Sequence, residues 1–263
     1  RPELRAVKGV PRAHRVATAE RRGRRRDGRE AQPQPVRQVE LPVPGQQFLE
    51  SGAFVRSRAG LSRPDVQIHG VLAIMRDHGK ERAGEDGFSL HLCQLRPESR
   101  GRIALASADP LADPLIFANY LASPEDRRVM RECVKIGRDV VSQAALDPYR
   151  ADELAPGKDV RSDAEIDAWV RRTAETIYHP VGTCKMGADG DPTAVVDAEL
   201  KVRGLEGLRV VDASVMPTLV GSNTNAPTIM IAEKAADHIL GRPTLSSSNA
   251  EYYRSKGWEA RQR

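Results

Sequence analysis

A chain of 263 residues with 40% hydrophobic and 4% aromatic residues is long enough for one large domain or two smaller ones. Its formal net charge of +5 is local: residues 1–40 alone carry +7, which leaves the remaining 223 at −2, so the basic balance belongs to an arm and not to a folded body. No run of ~18 apolar residues exists to form a membrane span, no apolar secretory core follows the N-terminus, and three scattered cysteines (Cys93, Cys133, Cys184) make no disulfide framework and suit a reducing compartment.

Residues 1–47 show neither a helix nor a strand period. An Arg-rich run at 21–26 and Pro-rich stretches at 32–35 and 42–44 predict a disordered basic arm, because so few apolar residues cannot offset chain entropy. A nucleic-acid role would call for stacking aromatics or a recognisable binding fold, and no aromatic precedes Phe48. A solvated tail is the expectation, with a frameshifted or misassigned start as an alternative.

Periodicity first appears near Glu50. Residues 64–69 and 88–93 read as strands, the second with Phe88, Leu90 and Leu92 on one face. Residues 100–105 read as a third, short strand. Such strands joined by long connections suit an antiparallel sheet. His69 and His91 fit the polar outer face of that sheet better than a cavity wall. The polar, Gly-rich stretch at 77–87 contains His78 among acids. Their spacing matches no usual ligand set, so a surface loop is expected there and no metal.

Ser123 followed by Pro124, Glu125 and Asp126 opens a helix, with Val129, Met130, Cys133, Val134, Gly137, Val140 and Val141 on its inward face. Cys133 is then a small core residue. Ser162 and Glu165 form a capping box for a second helix that turns Ile166, Trp169, Val170 and Thr173 inward.

That helix leads into the stretch 176–241. His179 lies in a turn-rich segment shaped by Pro180 and Gly182. Residues 208–211, opened by Gly207 and closed by Asp212, read as a strand buried on both faces. Pro227 stands in the first turn of a helix with Ile231, Ala232, Ala235, Ile239 and Leu240 as its apolar residues and Gly241 as C-cap. A buried strand, a loop and a helix N-terminus in succession often hold a cofactor. His179 and Asn225 would be polar groups in the surrounding loops. Asn223 is expected as a turn or cap residue. Cys184 has no base and orienting group beside it, so a nucleophilic role is not expected.

The segments Tyr-His-Pro-Val-Gly-Thr at 178–183, Leu-Arg-Val-Val-Asp-Ala-Ser at 208–214 and Asn-Thr-Asn-Ala-Pro-Thr at 223–228 occur in order. Together they resemble the C-terminal half of the glucose–methanol–choline (GMC) oxidoreductases, nearest the choline and alcohol dehydrogenase branch. The resemblance runs from about Glu50 to the C-terminus. It implies an α/β fold with an α+β substrate domain: an antiparallel sheet with helices, then a strand and helix returning to the FAD domain. On that reading residues 1–47 are an arm foreign to the family. Residues 48–194 are mostly substrate-binding, 195–241 return to the FAD-binding domain, and 242–263 are a tail.

The resemblance implies FAD as cofactor and oxidation of choline or another primary alcohol to the aldehyde. His179 matches the catalytic histidine. Asn225 matches the position that holds Asn or a second His, beside both substrate and flavin. Asp212 and Ala213 should lie near the phosphates and ribityl chain of FAD, and Pro227 and Thr228 at the flavin ring. The electron acceptor would be oxygen or a quinone. Neither nucleic acid nor a membrane span is expected. A cytoplasmic location follows, with peripheral attachment to the inner membrane as the alternative. The Gly-x-Gly-x-x-Gly dinucleotide fingerprint is absent from the 263 residues. The competing expectation is therefore an inactive piece lacking the N-terminal FAD-binding half.

Overall fold

The structure, a computed structural model, describes residues 49–76 and 87–251 apart from 244, 247 and 249, together with short strands at 15–16, 39–40 and 81–82. Most of the 1–47 arm, the His78 loop and the tail beyond 251 lie outside the described residues. In the arm, β1 (Arg15–Val16) pairs antiparallel with β2 (Val39–Glu40).

A three-stranded sheet has the order β3 (Leu49–Val55), β4 (Val66–Val71), β7 (Ser89–Gln94). Central β4 is buried along nearly its whole length, with Val66 at 0% and Ile68 at 5% exposure. Burying each such side chain contributes about 1.5–3 kcal/mol. Strands β4 and β7 occupy the two segments expected from alternation. Strand β8 (Arg102–Ala104) pairs antiparallel with β9 (Leu115–Phe117), a partner the sequence pattern did not reveal.

Two compact units partition the chain. One comprises 1–52, 69–91 and 138–154. It holds β5 (Met75–Arg76) paired antiparallel with β6 (Glu81–Arg82), and Ser89 Oγ donates to the Ala73 carbonyl at 2.7 Å. The other comprises 53–68, 92–137 and 155–263 and contains every candidate site residue.

Helix α1 (Pro124–Val141) starts as its sequence predicts, with Ser123 Oγ accepting from the Glu125 amide at 3.1 Å. Its buried residues are Asp126, Val129, Cys133, Ile136 and Gly137. The expected stripe is thus rotated. Ile136 replaces Val134, Val140 and Val141 as the deepest contact, and Leu92 of β7 packs against Gly137 at a distance that leaves little room for a Cβ (3.2 Å). Buried Asp126 departs from apolar patterning because it clamps a loop. It accepts from the amides of Glu98 and Ser99 at 2.8 Å each, from Gln94 Nε2 at 2.9 Å and from Ser99 Oγ.

Helix α2 (Asp163–Thr173) carries the predicted capping box in full. Ile166 and Val170 are buried, Trp169 is half-buried and Thr173 is exposed, so the inward face is narrower than the apolar pattern suggested. Arg131 of α1 holds Asp167 of α2 at 2.8 Å. Lys135 reaches Asp163 at 2.9 Å. These partly exposed pairs align the helices more than they stabilise them.

Helix α3 (Asn225–Leu240) begins two residues before Pro227, which takes the third helical position. Only Ile231 and Ala235 are buried on it; Ala232, Ile239 and Leu240 are exposed. Gly241, at φ 63°, caps its C-terminus as expected. Residues 208–211 do not form the doubly buried strand. Lys201 and Arg209 share an isolated antiparallel bridge, Leu208 is 48% exposed, and Val210 and Val211 are half-buried. The apolar run lacks flanking parallel strands among the described residues, and a strand of that type needs them on both sides.

Candidate functional site

One core carries the three motifs. Val196, Leu200, Val215, Met216, Ile231 and Ala235 form its buried centre, with Val181, Met186, Val210, Val211 and Ala213 packed around it. The first two motifs contribute Val181, Val210, Val211 and Ala213, and the helix that the third motif opens contributes Ile231 and Ala235, so the segments bearing His179 and Asp212 and the helix begun by Asn225 share one core.

The His179 segment is shaped by unusual backbone. Tyr178 has φ 62° and its amide donates to Thr176 Oγ1 at 3.0 Å. Gly182 has φ 88°, and a Cβ there would sit 3.3 Å from the Met216 carbonyl. A side chain at this point would be strained by conformation and crowded by the neighbouring chain. Beyond it the Cys184 amide donates to the Ser214 carbonyl at 3.0 Å and the Met186 amide to the Val215 carbonyl at 2.8 Å. The segment after His179 therefore runs along the turn that follows Asp212. His179 itself is half-buried.

Further on, Asp191 fixes the next loop. Hydrogen bonds from the Thr193 side chain first, then from its amide and from Lys185, pull its carboxyl down to about 2.

Asp212 is exposed and caps the 3₁₀ turn Ala213–Val215, its carboxylate accepting from the Ser214 amide at 2.7 Å. Ala213 is half-buried. One carboxylate oxygen is thus engaged in shaping the turn.

At α3 the N-cap Thr224 makes no side-chain cap. Its carbonyl accepts from both Thr228 N at 3.0 Å and Thr228 Oγ1 at 2.7 Å. Pro227 removes one of the first-turn donors that would otherwise have no partner within the helix. Asn225, the first helical residue, is exposed, so the sequence reading of it as a loop residue is corrected to a helix start. Pro227 and Thr228 are half-buried. Asn223 is neither cap nor free turn residue: its Oδ1 accepts from Gln67 Nε2 at 3.2 Å. Sequence reasoning missed Gln67, and no local signal could have found it, since 156 positions separate the pair.

No cysteine side chain has a part in this arrangement. Cys133 is 2% exposed, and burial pushes its thiol well above the usual range. Cys184 contributes its backbone amide to the core. Among the described residues no helix is long and apolar enough to cross a membrane.

An uncapped helix N-terminus with an exposed amide side chain suits an electron-rich partner such as the flavin ring. That helix start fits the electron-rich flavin ring of FAD. The sequence supplies no Gly-rich turn for its pyrophosphate.

The chain has relatives among known proteins. A family profile described as GMC oxidoreductase matches residues 97–232. An oxygen-dependent choline dehydrogenase of Photobacterium profundum is 48% identical over 215 residues, 82% of this chain and 38% of that protein. The mitochondrial choline dehydrogenase of Mus musculus is 49% identical over 206 residues, 78% of this chain and 35% of its own length. The chain therefore spans well under half the length of these curated relatives. Among solved structures, pyridoxine 4-oxidase from Mesorbium loti superposes with a TM-score of 0.69 at 28% identity, covering 88% of this chain and 42% of that one. An Aspergillus oryzae formate oxidase, studied for its FAD modification, gives 0.63 at 28% identity over 69% of this chain and 32% of its own.

Proposed function

The chain belongs to the GMC oxidoreductase family, and on that premise we propose that it is the C-terminal part of an FAD-dependent alcohol dehydrogenase of the choline type. In this reading residues 48–194 are mostly substrate-binding, 195–241 return to the FAD-binding domain, and 242–263 are a tail. The observation that carries the proposal is the shared core, to which Val181 of the His179 segment, Ala213 of the Asp212 turn and Ile231 of the helix that Asn225 opens all belong.

FAD, when bound, supplies the acceptor for the hydride that leaves the alcohol carbon. The chain's own residues do the rest. The imidazole of His179 takes the hydroxyl proton as general base. The Asn225 amide donates a hydrogen bond to the same oxygen, orienting it and stabilising its growing negative charge. Asp212 and Ala213 would stand by the phosphates and ribityl chain. Pro227 and Thr228, in the first turn of α3, would face the flavin ring, where the positive helix end would favour negative charge.

Choline as substrate rests on the names of the relatives. Oxygen as acceptor rests on the bacterial ones, with a quinone as the alternative. A second reading has one observation in its favour: the 263 residues contain no Gly-x-Gly-x-x-Gly, so on their own they would be an inactive piece of such an enzyme. The test is His179→Ala and Asn225→Ala in the complete flavin-loaded enzyme. Turnover should fall while bound flavin stays constant. Unchanged turnover in both variants would remove these residues from the mechanism.

A further inference from the structure

We propose that Arg96 and Gln67 act together as a latch on residues 221–224, and that this latch positions Asn225 and the first turn of α3. The inference rests on the assignment of Asn225 to the substrate site and adds two positioning residues to it.

Asn225 is exposed and Thr224 gives its helix no side-chain cap. The preceding loop therefore helps to set where the Asn225 amide stands. That loop is held at two points from the β4–β7 side of the same compact unit. Arg96, two residues beyond β7, is fixed by donation from Nη1 to the Pro64 carbonyl at 2.7 Å. Its guanidinium lies directly against Gly221. A Cβ there would be 2.5 Å from Arg96 Cζ and 3.1 Å from Nε, so a side chain at 221 would have to push the guanidinium aside. Burial, with Arg63 nearby, pulls the Arg96 pKa below its usual value, as expected for a cation pressed against backbone.

Gln67 is 8% exposed and sits in β4 between Val66 and Ile68, both buried. From that fixed position its Nε2 holds Asn223 Oδ1 at 3.2 Å, two residues before Asn225. The Thr224 carbonyl then carries the constraint into α3 through both bonds from Thr228. An open pocket of ≈280 Å³ lined by Phe54, Pro64, Arg96, Gly221 and Ser222 adjoins the latch, so the loop has space to move into once released. In an enzyme whose rate depends on placement, a shift of ~1 Å can cost about 100-fold.

The test has two readouts. Amide hydrogen exchange on the 263-residue chain should show Arg96→Ala and Gln67→Ala raising exchange at 222–226 by about 10-fold or more, with the amides of α1 unchanged. Arg96→Lys keeps the charge and stem but not the planar face. It covers the case in which the Ala variant fails to fold, and should raise exchange in the same place. Gly221→Ala should disturb the loop when Arg96 is present and be tolerated with Arg96→Ala. In the flavin-loaded complete enzyme, Arg96→Lys should lower kcat more than it raises KM. Unchanged exchange at 222–226, or a rise shared equally by α1, would overturn the latch. So would an unchanged kcat in a variant whose loop exchange has risen, provided Asn225→Ala lowers kcat. Asn225→Ala separately decides the site assignment, and the exchange result stands whichever way that falls.

Discussion

The backbone amide of Cys184 donates to the carbonyl of Ser214 at 3.0 Å, and this bond joins the segment that carries His179 to the turn that Asp212 caps. Side chains at both ends of the bond could change without breaking it. The pairing depends instead on Gly182, whose φ of 88° lets the chain pass close to the Met216 carbonyl.

Gly182→Ala should therefore destabilise the protein by roughly 1–2 kcal/mol, the strain of a left-handed residue plus the displaced carbonyl. The loss should appear as a lower urea midpoint with an unchanged slope. An unaltered midpoint would show that the loop relaxes freely.

His179→Ala in the complete, flavin-loaded enzyme should reduce kcat by about 10²–10⁴, the usual worth of a general base. Flavin content after gel filtration should match the parent. Loss of flavin in parallel with activity would point to a structural role for this histidine.

The 263-residue chain alone should not retain stoichiometric FAD through gel filtration. On the proposed assignment its uncapped α3 N-terminus and the Asp212 turn would meet only the flavin and ribityl portions, while the 263 residues hold no Gly-rich turn for the pyrophosphate. A purified chain that carries one flavin per molecule and bleaches on adding choline would refute both this expectation and the inactive-piece reading.

Asp126 should give stability a measurable pH dependence. Burial alone would raise its carboxyl, but bonds from the Ser99 side chain, the Glu98 and Ser99 amides and Gln94 outweigh burial and hold it below the usual carboxylate value. A depressed folded pKa means stability that is present above the unfolded value of about 3.9 and lost as pH falls through the folded one. Asp126→Ala should cost about 1–3 kcal/mol at pH 7, since it leaves buried donors unsatisfied. Urea midpoints of parent and variant should converge as the pH is lowered below about 4; a constant gap down to low pH would contradict the account.

Cys133 should resist thiol reagents at neutral pH until the protein unfolds. It is 2% exposed, and burial pushes its thiol upward, so both access and thiolate are lacking. Labelling of Cys133 at the rate of Cys184, which is half-buried, would show that the α1 core opens readily.

The sequence by itself determined the local structures whose signals span a few residues: the Ser123 and Ser162 caps, the Gly241 terminus, strands β4 and β7, and the three motifs that mark the family. Capping and alternation act over a turn or two of chain and each motif is a short run of consecutive residues, so they can be read without the fold. Only the tertiary structure decided which apolar residues are inside. Ile136 lies deepest on α1 because of what packs over it, and Ile239 and Leu240 stay exposed although they are as apolar as Ile231. Residues 208–211 read as a buried strand, yet that state requires neighbours on both sides that only a sheet can provide. Gln67 and Arg96 carry no local mark at all. Their contacts with Asn223 and Gly221 join parts of the chain more than a hundred residues apart, and a pairing over that distance follows from how the whole unit packs.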